Sequence, residues 1–167
     1  MPAHRRAVGA PVPCLWFDGQ AEEAVAFWVG LLPDSRIDRI ARAPGAPADA
    51  PALYIDFTLM GRPFAALNGG PNFRLGEAVS LMVACDSQAE IDRLWDALSA
   101  GGGQEMDCGW VKDRFGQAWQ IVPRRMMAVL RDGSPDQRAR AFAAMMTMRK
   151  FDLAAIERAC AGDQPPA

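Results

Sequence analysis

The residue with the clearest capacity for covalent chemistry is Cys108, in the run Cys108-Gly109-Trp110-Val111-Lys112-Asp113-Arg114-Phe115-Gly116. A thiol becomes a nucleophile when a nearby cation lowers its pKa. Lys112 is the nearest ammonium in sequence, but it stands four residues along an extended segment. The single histidine, His4, lies far upstream and supplies no base. A buried structural thiol is the simpler reading of Cys108, with a catalytic nucleophile as the alternative. Asp113-Arg114 reads as a local ion pair in a turn. The four cysteines, Cys14, Cys85, Cys108 and Cys160, form no Cys-x-x-Cys pair, so zinc-site spacing is absent. Reduced, scattered thiols agree with a cytoplasmic protein.

A second group could bind rather than react. Trp16, Phe64, Trp110, Phe115 and Trp119 lie on or beside segments that read as strands. Asn68 and Gln120 are polar ends on otherwise apolar strands. An apolar cavity with a few polar groups is the usual form of a small-molecule site. The same rings could equally fill a core, and the same amides could satisfy backbone groups at strand ends. The glycines do not form a nucleotide or S-adenosylmethionine loop. That loop needs a Gly-x-Gly run between a strand and a helix. Gly69-Gly70-Pro71 ends a strand without opening a helix, and Gly101-Gly102-Gly103 follows one.

The elements that must position these groups occur twice. Asp18-Gly19-Gln20-Ala21-Glu22 follows the apolar run Cys14-Leu15-Trp16-Phe17, and Asp86-Ser87-Gln88-Ala89-Glu90 follows Leu81-Met82-Val83-Ala84-Cys85. A self-similar sequence means a duplicated unit. In the first unit the spacing predicts a helix from Asp18 or Gly19, capped by Asp18, with Ala21, Ala24, Val25, Trp28 and Leu31 on its apolar face and Pro33 at its end. Strands are predicted over 35–41, then through Leu53, Ile55, Phe57 and Leu59 by alternation, then over 64–68. In the second unit a strand over 79–85 leads to a helix with a Ser87/Glu90 capping box and an Ile91, Leu94, Trp95, Leu98 face. Strands near 104–111 and 118–122 follow. Past Pro123 the pattern is helical only: Ser134-Pro135-x-Gln137 starts one helix, with Phe142, Met145, Met146 and Arg149 along it, and Asp152 caps a last one. The predicted divisions are 12–70, 78–123 and 124–161, within one compact domain.

The chain has 167 residues, half of them apolar, and a formal charge of −2. A nucleic-acid binder usually carries a basic stripe; Arg5 and Arg6 read as a short tail. No apolar run approaches the ~20 residues of a membrane helix, and Pro11, Pro13 and Asp18 interrupt any signal-peptide core.

These motifs resemble a known family. Pro13-Cys14-Leu15-Trp16-Phe17-Asp18-Gly19, Phe64-Ala65-Ala66-Leu67-Asn68-Gly69-Gly70 and the run from Cys108 to Gln120 are similar to the PhnB-like group of the vicinal oxygen chelate (glyoxalase/bleomycin resistance/dioxygenase) superfamily. That group often carries the label 3-demethylubiquinone-9 3-methyltransferase. The resemblance runs from about Val12 to Ala161. It implies an α+β fold of two tandem βαβββ modules forming curved half-barrel sheets, plus C-terminal helices, and a homodimer. Enzymes of the superfamily hold a divalent cation with four side chains, two from the first and two from the last strands of the modules. The matching positions here are Pro11, Ala65, Ser80 and Gln120, within about one residue. Such a set is a poor cradle for a Lewis-acid cation, which calls for N/O donors. The implied protein therefore uses no metal and no cofactor, and binds a small molecule in an aromatic-lined cavity. The alternative is an enzyme, either a metal-dependent glyoxalase- or dioxygenase-like one or the methyltransferase of the family label.

Overall fold

The computed structural model describes residues 9–162. His4, Arg5 and Arg6 lie outside the described residues. The chain divides into two compact units, broken between Arg74 and Leu75.

The first unit runs β1 (Cys14–Phe17), α1 (Ala21–Leu31), β2 (Arg36–Ala41), β3 (Tyr54–Leu59) and β4 (Arg62–Asn68). Its sheet has the order β1-β4-β3-β2, with β1 and β4 parallel and the other pairs antiparallel. The second unit repeats this as β5 (Ser80–Cys85), α2 (Gln88–Ser99), β6 (Gln104–Glu105), β7 (Trp110–Lys112) and β8 (Ala118–Pro123), in the order β5-β8-β7-β6. Three helices follow: α3 (Arg124–Asp132), α4 (Pro135–Met145) and α5 (Leu153–Ala161). The βαβββ repeat is therefore real and sets both sheets.

Each helix covers one face of its own sheet. Trp28 and Trp95 stand two turns into α1 and α2, and both are buried. Trp28 meets Phe17 and Phe57, with ring centroids 5.9 and 6.2 Å apart. Ile91, Leu94, Trp95 and Leu98 are all buried on one stripe of α2, as the spacing predicts. Met60 and Gly61 both adopt positive φ in the tight β3–β4 turn, the conformation a two-residue hairpin needs.

Four expectations are corrected. Asp18 does not cap α1; the helix starts at Ala21, with Gln20 at the cap position and no side-chain bond from it. Instead Asn68, at the end of β4, accepts from the Ala21 N–H at 3.0 Å and donates to the Ala52 carbonyl at 2.8 Å. The reason lies in the register. Asn68 sits opposite Phe17, and its counterpart Pro123 sits opposite Cys85. Proline has no side chain with which to cap a neighbouring helix, and α2 caps itself through the reciprocal Ser87/Glu90 box. Asn68→Ala is thus expected to cost about 1–2 kcal/mol, the usual loss for a helix cap, with Ser87→Ala costing about 1 kcal/mol. Urea titration of the two variants measures both.

The second correction concerns 104–111, which is two short strands parted by a turn in which Cys108 and Gly109 have φ of +59° and +79°. A continuous strand cannot contain two successive left-handed residues. Third, α4 ends at Met145, so Met146 and Arg149 fall in the irregular segment beyond it rather than along the helix. Fourth, Leu53 precedes β3 and is exposed, whereas Ile55, Phe57 and Leu59 are buried. The Ser134/Gln137 box and the Asp152 cap form as expected.

Candidate functional site

Strand pairing decides which side chains can act together, because directly paired residues share a face. In the first unit, Leu15, Phe17, Ile55, Phe57, Phe64 and Ala66 belong to the face packed under α1. Phe64 stacks on Phe57 with centroids 5.6 Å apart. Phe64 and Trp16 are therefore on opposite faces of one sheet and cannot line a common wall. Asn68 also belongs to the α1 side, its amide engaged by the helix N-terminus and the Ala52 carbonyl.

The helix-free face of this sheet carries Trp16, Leu67 and Tyr54 in one rung, and Cys14, Ala65, Asp56 and Arg39 in the next. The Trp16 indole is half-buried and held in place. Its Nε1 donates to the Gly70 carbonyl at 2.8 Å, and its ring meets Phe73 edge-on at 5.0 Å. A Cβ on Gly69 would lie 2.3 Å from the Trp16 ring. The Gly69-Gly70 pair is thus a seat for an indole, not a loop for a cofactor. Burial raises the Tyr54 hydroxyl pKa, and donation to the Asp56 carboxylate raises it further. Burial also raises the Cys14 thiol, which stays protonated near neutral pH. Tyr54, Asp56, Cys14 and Arg39 were not singled out in the sequence. The alternation of β3 separates Tyr54 and Asp56 from the core-facing residues, but the rung they share with Trp16 exists only once the strands pair.

In the second unit, Trp110, Gln120 and Met82 form one rung on the face away from Val111, Trp119 and Ile121. Gln120 Nε2 donates to Ser80 Oγ at 2.7 Å. Trp110 and Gln120 are half-buried and Met82 is exposed. Trp119 and Phe115 are elsewhere. Trp119 is 1% exposed and its Nε1 donates to Asp113 Oδ2 at 2.8 Å, and Phe115 is buried with the Arg114 guanidinium 4.6 Å from its ring centroid. Asp113 is no surface turn residue. Its buried carboxylate also accepts from the backbone N–H groups of Phe115 and Gln117 at 2.9 and 3.0 Å.

Cys108 lies half-buried in the β6–β7 turn. The Lys112 ammonium is paired with Glu77 Oε1 at 2.7 Å. No histidine occurs among the described residues. The remaining described thiols differ in access: Cys85 and Cys160 are buried, and burial pushes Cys85 up to about 11.

The positions implied for a divalent cation do not suit one. Ala65 offers a methyl group and is 2% exposed, Pro11 has no side-chain donor, and Gln120 offers only a neutral amide oxygen. Among the described residues, no three His, Cys, Asp or Glu side chains converge. The doubly wound sheet on which S-adenosylmethionine sites are usually built is not present among the described residues. Each sheet has one parallel pair rather than a doubly wound set, and the first N–H of α1 is taken by Asn68. No helix among the described residues is long and apolar enough to cross a membrane.

Comparison with known proteins agrees with this architecture. The sequence profile of the family described as 3-demethylubiquinone-9 3-methyltransferase matches residues 10–122. The match stops before α3, so the helical extension lies outside it, unlike the longer span expected from the motifs. Among solved structures, the chain is similar to the PhnB protein from Bacillus cereus: 28% identity, TM-score 0.62, covering 69% of this chain and 99% of that one. A protein from Pseudomonas aeruginosa shares 24% identity with a TM-score of 0.56, covering 70% of this chain and 98% of that one, a likeness of fold alone. No protein with a curated description matches. On its duplicated βαβββ topology and the match over both modules, the chain belongs to the family described as 3-demethylubiquinone-9 3-methyltransferase.

Proposed function

We propose that this protein binds an apolar or aromatic small molecule on the helix-free faces of its sheets, without a resident cation or cofactor, as a cytoplasmic homodimer. The observation that carries this reading is the rung Trp16–Leu67–Tyr54, half-buried and rigidly seated, beside an alanine at the position where the superfamily's enzymes place a ligand to a metal. A planar ring can stack on a fixed indole, and the Tyr54–Asp56 pair offers a polar anchor at its edge. In the second unit, Trp110 and Gln120 offer an aromatic surface and an amide on the corresponding face.

A thermal-shift screen of aromatic and apolar metabolite-sized compounds tests the reading. A compound at a hundred times its Kd is expected to stabilise the fold by about 2.7 kcal/mol, a rise in Tm of about 5–10 °C for a chain of this size. Trp16→Ala is expected to remove most of that rise. A rise equally large in Trp16→Ala and Trp110→Ala counts against the faces named. Stoichiometric nickel, zinc, manganese or iron in the purified protein overturns the cation-free reading. Micromolar S-adenosylmethionine affinity by calorimetry restores methyl transfer.

A further inference from the structure

We propose that Cys108 and Met146 form a binding site for a soft monovalent cation, copper(I) or silver(I). The pair joins two segments distant in sequence. Cys108 is in the turn between β6 and β7, and Met146 closes α4. Cys108 Sγ lies 3.8 Å from Met146 Sδ and 3.7 Å from the Met145 carbonyl. Two sulfurs at that separation can both reach one ion at about 2.3 Å, the usual metal–thiolate distance, with no backbone movement.

The geometry is held from the backbone. The Cys108 N–H donates to the Met148 carbonyl at 2.8 Å, and the Gly109 N–H donates to the Arg149 carbonyl at 2.7 Å. These two bonds fix the turn against the segment that carries the methionine. Both sulfurs are reachable: Cys108 is half-buried, and Met146 is 57% exposed. A thiolate with a thioether is a soft donor set that selects copper(I) over magnesium, calcium or manganese, which take oxygen. In the free protein the thiol donates to the Met145 carbonyl. Binding breaks the S–H bond, releases that proton to solvent and forms the S–metal bond, with no change of oxidation state. A third coordination position stays open to water or a small thiol. Cys108 lies within residues 10–122 and Met146 in the extension beyond them, so the pair is completed only outside the region that defines the family.

The test uses the full chain with Cys14→Ser, because Cys14 is the other thiol exposed to solvent, Cys85 and Cys160 being buried. Copper(I), kept reduced under anaerobic conditions, is titrated against a chromogenic chelator. One ion per chain is expected. Met146→Leu keeps the thiol and changes an exposed side chain, so the metal-free melt should stay unchanged. Its affinity is expected to fall by at least about tenfold, the loss of one of two soft donors, and Cys108→Ser should abolish uptake. Absence of one-to-one uptake, or a Met146→Leu affinity equal to that of the parent, overturns the proposal and leaves the contact as sulfur packing.

Discussion

Asp113→Ala is expected to destabilise the second unit by about 3–5 kcal/mol, the range for breaking a buried hydrogen-bonded charge network. The physical reason is the set of donors it leaves behind. The carboxylate is 3% exposed and accepts from Phe115 N, Gln117 N and Trp119 Nε1. Each donor left buried without a partner costs about 1–3 kcal/mol, not additively. Asp113→Asn keeps the shape but presents an NH2 to one of those donors, and should lose about half as much. Trp119→Phe removes the indole bond and also shrinks a buried ring, with a loss of about 1–3 kcal/mol expected. Urea unfolding followed by intrinsic fluorescence reads all three. An Asp113→Ala midpoint within experimental error of wild type would show that the network does not hold the β7–β8 turn.

Gly109→Ala is expected to cost about 3 kcal/mol, from left-handed strain of about 1–2 kcal/mol and overpacking of about 1–3 kcal/mol. Gly109 has φ of +79°, and a Cβ there would lie 2.3 Å from Phe151 Cε2 and 2.8 Å from the Ile121 carbonyl oxygen. Phe151 is 1% exposed, so its ring has little room to retreat. The clash falls where the segment between α4 and α5 meets the sheet, and that segment should become the first site of limited proteolysis. Phe151→Leu in the Gly109→Ala background should recover part of the loss by opening space beside the new methyl group. If the double variant shows only the sum of the two separate losses, the contact with Phe151 is not the cause.

Much of the local structure was legible in the chain because it depends on near neighbours. The Ser87/Glu90 and Ser134/Gln137 boxes each need two residues three apart, and both form. The buried stripe of α2 needs only helical spacing. Asn68 was legible as a polar strand end but not as the cap of α1, since its partner Ala21 is 47 residues away. Trp119 and Phe115 looked like candidates for a cavity wall because aromatic residues on strands suit either a wall or a core. Trp119 is buried with its indole on Asp113, a bond across the β7–β8 turn that the spacing alone does not reveal. Cys108 read as a structural thiol, with a nucleophile beside Lys112 as the alternative; Glu77 pairs with the ammonium, and the thiol meets Met146, just past a helix outside the repeat.

The double βαβββ build is readable from the chain alone, because duplication, alternation and capping are encoded at short range. Which residues share a face depends on how distant strands pair. Trp16 joined Tyr54 and Asp56, and Phe64 went to the other side, because each successive strand residue points to the opposite face and the register is set by pairing between strands far apart in the chain.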